Sequence, residues 1–239
     1  MIFLFDIDGT LLLSGGAGRT ALSAAMDAHL PRTGAMDGVS CAGKTDAMIL
    51  DEACGAVLGR RPDAALVQRL HRTYLEQLPA ALAQNPSFRL MPGVPQVLET
   101  LARRKRAHLT VATGNVEAGA RLKLERAGLD QLLPIGGYGD GVWHRPEILV
   151  RAIEAVRATA GEQAAAPPWI VIGDTTRDID AAREVGALVA VLADTTTPRE
   201  RLVEAKPDLV MDDLRELLPW SRRLARAAGA ADGPGGRRG

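Results

Sequence analysis

Apolar residues along the chain fall into two kinds of pattern. Short continuous runs occur at Ile2–Phe5, Leu109–Ala112, Trp169–Ile172, Ala187–Leu192 and Leu209–Met211. Their length and bulky or β-branched content predict strands buried on both faces. A weaker strand is expected near Leu132–Ile135. Between most of these runs, apolar positions recur at helical spacing, as in Glu117–Ala127, Pro146–Ala158, Arg177–Val185 and Arg199–Ala205. Alternating strands and helices predict an α/β fold with a parallel sheet covered on both faces.

One region departs from the alternation. From about Gly18 to Leu101 no strand pattern is evident, and four helical patterns follow one another: Arg19–Leu30, Asp46–Leu58, Asp63–Leu82 and Val94–Arg104. So much helix is too long for one crossover between neighbouring strands. The pattern predicts a helical domain over 16–88, inserted into an α/β core made of 1–15 and 89–220. Pro92-Gly93 punctuates the return to the core. Ser14-Gly15-Gly16-Ala17-Gly18, at the junction, could cradle phosphate or serve as a hinge. The stretch 221–239 carries five Gly, five Arg and one Asp, and is expected to be a disordered, solubilising tail.

Composition narrows the function classes. The 29 basic and 29 acidic residues among 239 balance, so no basic field favours nucleic acid. Aromatic residues make up 3%, too few for a base-stacking surface. Two cysteines cannot build a disulfide framework or a zinc site, which suits a reducing compartment. No apolar run is long enough to span a bilayer, and Asp6 interrupts the opening MIFLF without a leader-like pattern. A cytoplasmic protein without nucleic-acid or membrane partners is expected; its oligomeric state is open, and a monomer is compatible.

The chemistry concentrates at predicted strand ends. In Phe3-Leu4-Phe5-Asp6-Ile7-Asp8-Gly9-Thr10 a strand ends in carboxylates at i and i+2, followed by a Gly-Thr turn. Alternate strand residues face one side, so Asp6 and Asp8 are expected to converge on one point, where hard oxygen donors suit Mg²⁺. Ile170-Val171-Ile172-Gly173-Asp174 supplies another carboxylate, and Asp178 follows one helical turn later. Val111-Ala112-Thr113-Gly114-Asn115 offers a hydroxyl and free amides. All three lie at carboxyl ends of strands, where α/β sheets place their ligands.

Together, Asp6-Ile7-Asp8-Gly9-Thr10, Thr113, and Gly173-Asp174 with Asp178 resemble three motifs of the haloacid dehalogenase-like superfamily, in order and placement. The resemblance covers about residues 1–215, and the helical insertion resembles that superfamily's C1 cap. It implies a Rossmann-like core, Mg²⁺ dependence and phosphoryl transfer through an aspartyl-phosphate, as in phosphoglycolate-phosphatase-like members. Asp6 would be the nucleophile, and Asp8 the acid that protonates the leaving oxygen and then activates water. Asp6, Asp174 and the Asp8 carbonyl would hold Mg²⁺, with Asp178 behind them. Thr113 and Gly114 would hold phosphoryl oxygens. The acid at Asp8 separates phosphatases from the superfamily's dehalogenases.

The superfamily's third motif is usually a lysine, but here that stretch reads Trp143-His144-Arg145-Pro146-Glu147. Arg145 can hold phosphate through its fork. Lys123 on the preceding helix is the alternative cation. Gly38-Val39-Ser40-Cys41-Ala42-Gly43-Lys44-Thr45 matches a P-loop letter for letter, but the preceding PRTGAMD is a polar loop, not the buried strand that motif requires. Lys44 and Thr45 are instead expected on a cap substrate loop that reaches the leaving group. His29, His71, His108 and His144 have no metal-ligand spacing. The expected activity is a Mg²⁺-dependent phosphatase acting on a small phosphorylated metabolite. A phosphosugar mutase and a non-catalytic phosphoacceptor or binding module are the competing possibilities.

Overall fold

The computed structural model describes residues 1–231. Its main sheet is built from β1 (Ile2–Phe5), β4 (His108–Ala112), β5 (Gly136–Gly137), β6 (Trp169–Gly173), β7 (Leu188–Leu192) and β8 (Leu209–Met211). A small second sheet pairs β2 (Leu12–Leu13) with β3 (Arg89–Leu90). The main sheet is parallel throughout, in the order β5-β4-β1-β6-β7-β8. In that order the chain runs outward from β1 in one direction and then in the other. The crevice beside β1 is therefore the topological switch point of a doubly wound fold.

The β1 run shows why the central strands are continuously apolar. All four residues have no exposed surface. Phe3 and Phe5 enter one apolar cluster, with Val97, Leu98 and Leu124, while Ile2 and Leu4 enter another, with Ile148, Val171 and Val191. Both faces are covered by helices: α4 (Val94–Ala102), α5 (Glu117–Ala127), α6 (Pro146–Ala160) with the one-turn α7 (Glu162–Ala165) after it, α8 (Thr176–Glu184) and α9 (Arg199–Glu204) among them.

The first of the long inserted helices is α1 (Ala17–His29), followed by α2 (Asp46–Leu58) and α3 (Ala64–Ala83). They bury Leu22, Met26, Leu50, Leu70 and Leu78 in a separate apolar cluster. Val116 and Leu122, at and within the start of α5, join that cluster. Thr45 and Asp63 cap α2 and α3 through their side-chain oxygens, which is why those helices begin where they do. The two passages of the chain into and out of the insertion are the paired strands β2 and β3.

Several elements differ from the sequence pattern. Leu132–Ile135 forms a turn, not a strand; Leu133 turns into the core and pairing passes to Gly136–Gly137, two residues that carry no strand propensity. The β2–β3 pair escaped notice because two-residue strands have no periodicity. Residues 221–231 are not a disordered tail: α10 spans Leu217–Ala231. Leu217, Trp220 and Leu224 pack on the core cluster at helical spacing, and Arg104 donates to the Ser221 hydroxyl (2.9 Å). Glycine and arginine content concealed that apolar stripe; residues 232–239 of the expected tail lie outside the described residues. No helix among the described residues is long and apolar enough to cross a membrane.

Candidate active site

Three strand ends meet beside β1. Asp6 follows β1 directly, Asp174 follows β6, and Thr113 to Asn115 follow β4. Gly9 makes the tight return after Asp8 at φ +83, and a Cβ there would fall 2.1 Å from an Asp174 oxygen. Only glycine fits both the left-handed backbone and that approach.

Asp6 is 8% exposed. One carboxylate oxygen accepts from the Ile7 amide (2.8 Å), and the other from Arg145 Nη2 (2.9 Å). The same guanidinium donates to Asp178 Oδ1 through Nε (3.0 Å) and Nη2 (2.5 Å). Arg145 thus bridges two buried carboxylates. It sits immediately before Pro146, the first residue of α6, which places it at a helix start. Asp178 is the third residue of α8, and its other oxygen accepts from the Thr175 amide (2.9 Å) and hydroxyl (2.7 Å) in a capping box.

Asp174 has a different environment. It is buried, and its contacts are hydroxyls: Thr10 Oγ1 (3.4 Å) and Thr195 Oγ1 (3.2 Å). Burial, then the charges of Asp178 and Asp6, push its carboxyl well above the ordinary carboxylate range. Burial likewise raises Asp6, against the pull of Arg145. Ligand oxygens of Asp6, Asp174 and Asp178 lie within 4.8 Å of one another. A buried carboxylate group whose own cation serves only Asp6 and Asp178 fits a divalent, oxygen-seeking metal, which would supply the charge that Asp174 lacks.

Asp8 does not converge with Asp6. Its oxygens accept from Ser14 Oγ (2.9 Å), Asn115 Nδ2 (3.0 Å) and Lys123 Nζ (2.5 Å). Although burial works to raise it, Lys123 and these hydrogen bonds hold the carboxyl below its ordinary value. The side chain of Asp8 therefore lies outside the three-carboxylate group, contrary to the expectation from i, i+2 spacing. The chain leaves the strand at Phe5 and bends at Ile7, between the two acids, and Asp8 turns to Lys123 on α5 instead of staying on the strand's face. Lys123 is 3% exposed and also donates to Asn115 Oδ1 (2.7 Å). Both candidate third-motif cations are thus in the site, on different carboxylates.

Thr113 is fully buried, and its hydroxyl oxygen accepts from Asn115 Nδ2 (2.8 Å) and the Asn115 amide (3.3 Å). Gly114 lies directly beneath the insertion: a Cβ would fall 2.3 Å from the Lys44 carbonyl, and its own carbonyl accepts from the Asp46 amide (2.8 Å). Thr45 departs from its expected substrate role, whereas Lys44 stays at the cavity. Lys44 lines the cavity but pairs with Glu52, the seventh residue of α2. The Thr45 hydroxyl has no exposure, donates to the Val142 carbonyl (2.5 Å), and caps α2 by accepting from the Met48 amide (3.2 Å). The P-loop-like letters are a helix cap at the end of an irregular loop with no strand before it.

Asn115 and Ser14 are the residues sequence reasoning undervalued. Asn115 belongs to the Thr-Gly-Asn run, and Ser14 to the Gly-rich junction. Nothing in their types announced that both would hold Asp8.

Comparisons with known proteins agree with this architecture. Residues 3–183 match the family model of haloacid dehalogenase-like hydrolases. The chain is 29% identical over 229 residues to phosphoglycolate phosphatase of Synechococcus elongatus, covering 93% of this chain and 98% of the relative. It is 26% identical over 233 residues to the probable phosphatase IndB of Dickeya dadantii, covering 94% and 95%. Among solved structures, a hydrolase from Pseudomonas syringae shares the fold with a TM-score of 0.68 at 24% identity, covering 91% of this chain and 95% of that one. The match across motif-bearing strands and insertion alike establishes that this chain is an enzyme of the haloacid dehalogenase-like hydrolase family.

Proposed function

We propose that the protein is a Mg²⁺-dependent phosphatase acting on small phosphate monoesters. The observation that carries this reading is the buried pairing of Asp6 and Asp174 at adjacent strand ends, short of positive charge and open to one cavity. The names of the two sequence relatives, both phosphatases, support it. Asp6 and Asp174, with the Asp8 carbonyl, would hold Mg²⁺, which when bound screens the repulsion between a carboxylate and a phosphate and polarises the phosphoryl oxygens.

Asp6 is the nucleophile in this reading. A covalent carboxyl-phosphate splits one difficult displacement into two. Arg145, already on Asp6, orients that carboxylate and brings positive charge to the phosphoryl site; Asp178 anchors its guanidinium from behind. Thr113, accepting twice from Asn115, keeps its proton free to donate to a phosphoryl oxygen. Asp8, kept ionised by Lys123, is equipped as the base that activates water against the aspartyl-phosphate. Its acid role toward the leaving oxygen requires Lys123 to release it first. The helical insertion, 16–88, serves as a cap over this chamber, and the core comprises 1–15 and 89–220, extended by the rest of α10.

The test is release of inorganic phosphate from an aryl phosphate, with and without Mg²⁺, combined with acid-quench mass spectrometry. A metal-dependent phosphoryl adduct on Asp6 supports the reading. Absence of phosphate release in Mg²⁺ rejects it.

A further inference from the structure

The cavity above Asp6 and Asp8 extends between the sheet and the helical insertion, with a volume of about 250 Å³. That is below the ~300–1,000 Å³ of sites for drug-sized ligands, so the leaving group it admits is small.

The cations that line this cavity are already engaged. Arg145 donates to Asp6 and Asp178, and Lys123 to Asp8 and Asn115. Lys44 pairs with Glu52, and Arg19 donates to the carbonyls of Met36 and Val39.

Two polar groups from the insertion behave differently. Asp46, 5% exposed, accepts from the Val116 amide through Oδ2 (2.8 Å), but Oδ1 meets no donor among the described residues. Tyr74, 1% exposed, has a hydroxyl with no hydrogen-bond partner among the described residues. Both line the cavity. The Tyr74 ring is admitted because residue 119 is glycine; a Cβ there would stand 2.9 Å from the hydroxyl. A buried polar group without its partner costs roughly 1–3 kcal/mol, so each gains from a ligand that supplies one. The free acceptor is a carboxylate oxygen, which attracts a hydroxyl and repels another carboxylate.

We propose that Asp46 and Tyr74 select the leaving group, and that this group is a small neutral alcohol bearing a second hydroxyl rather than a carboxylate. The second hydroxyl donates to Asp46 Oδ1 and shares a hydrogen bond with Tyr74 Oη. The inference rests on the phosphatase reading above and narrows its substrate class.

The experiment compares kcat/KM for glycerol 1-phosphate, propyl phosphate and phosphoglycolate, with an aryl phosphate as the reference ester. The wild-type protein should favour glycerol phosphate over propyl phosphate by about 10–100-fold, the worth of a hydrogen bond to a charged group. It should also favour glycerol phosphate over phosphoglycolate. Tyr74→Phe should shrink the first ratio. Asp46→Asn should swing the second toward phosphoglycolate: its carbonyl oxygen stays on the Val116 amide, and its amino group faces the cavity. Thermal melts establish that both variants are folded, and either alone tests the site. If aryl phosphate is hydrolysed but phosphoglycolate is preferred, or neither variant alters the ratios, the selection site is wrong and the phosphatase reading survives. If no ester is hydrolysed, both fall.

Discussion

Asp6 and Asp8 stand two residues apart at the end of one strand, yet the protein treats them in opposite ways. Asp6 is sealed against an arginine that it shares with Asp178, next to the uncompensated Asp174, and its carboxyl is raised. Asp8 keeps 39% of its side chain open and has a lysine to itself, with an asparagine and a serine assisting, and its carboxyl is lowered. Environments that push two neighbouring acids apart are how one site assigns two jobs to one residue type. In the reading proposed above, a metal would relieve the raised acid, and the lowered acid stays ionised so that it can accept a proton.

Removing one acid at a time tests this division most severely. Asp6→Asn keeps the shape and the Arg145 contact but loses the nucleophile, so kcat should fall by about 10⁴-fold or more, with no phosphoryl adduct in the quench. Chelation should be nearly as severe. Exhaustive EDTA treatment should abolish turnover, Mg²⁺ should restore it, and Ca²⁺ should support it poorly because its coordination is larger and looser. Undiminished turnover after chelation would mean that the Asp6 half works without its metal, and the contrast with Asp8 would lose its meaning.

Much of this contrast was beyond the reach of the sequence, and the reason is physical. Strand periodicity and motif order located Asp6, Asp174 and Thr113 at one sheet edge, because buried parallel strands leave a strong local signature. Periodicity treats i and i+2 as equivalent, however, and the bend at Ile7 breaks that equivalence just beyond β1. Arg145 and Lys123 looked like rivals for one role because their partners lie more than 100 residues away in sequence: Asp6 for one, Asp8 for the other. Lys44 and Thr45 misled in the other direction. Their spacing matched a phosphate-binding loop, but the same letters make a good helix cap, and the lysine before it pairs with Glu52 on α2.

The two cations offer the next test, with smaller effects. Arg145→Ala removes charge from the nucleophile's side and frees Asp178, so kcat should drop by roughly 10²–10³. Lys123→Met should cost about 10-fold, less than the ~10²–10⁴ that loss of the acid–base group itself costs, since Lys123 acts through Asp8. Steady-state kinetics on one ester decides the matter. A larger loss in Lys123→Met than in Arg145→Ala would exchange the roles of the two halves.

Asp46 provides the mildest test, as a third acid with no ion-pair partner of its own among the described residues. It is buried, and one backbone amide is its hydrogen-bond donor. Burial pushes its carboxyl up to about 6 from an ordinary 3.8, only partly offset by the Val116 amide and the charge of Lys123. The sign follows from linkage. A group raised on folding favours the folded state fully below its unfolded value, and that contribution is lost as pH rises through the folded one. Asp46 therefore weakens the protein above pH ~6 relative to an uncharged isostere. Asp46→Asn should stabilise the fold at neutral and alkaline pH by about 3 kcal/mol, read as a higher thermal midpoint, and the advantage should vanish by about pH 4. Thermal melts of both proteins across that range measure it. A gain that does not depend on pH would come from packing rather than charge, and Asp46 could then not serve as the uncompensated acid against which Asp6 and Asp8 are compared.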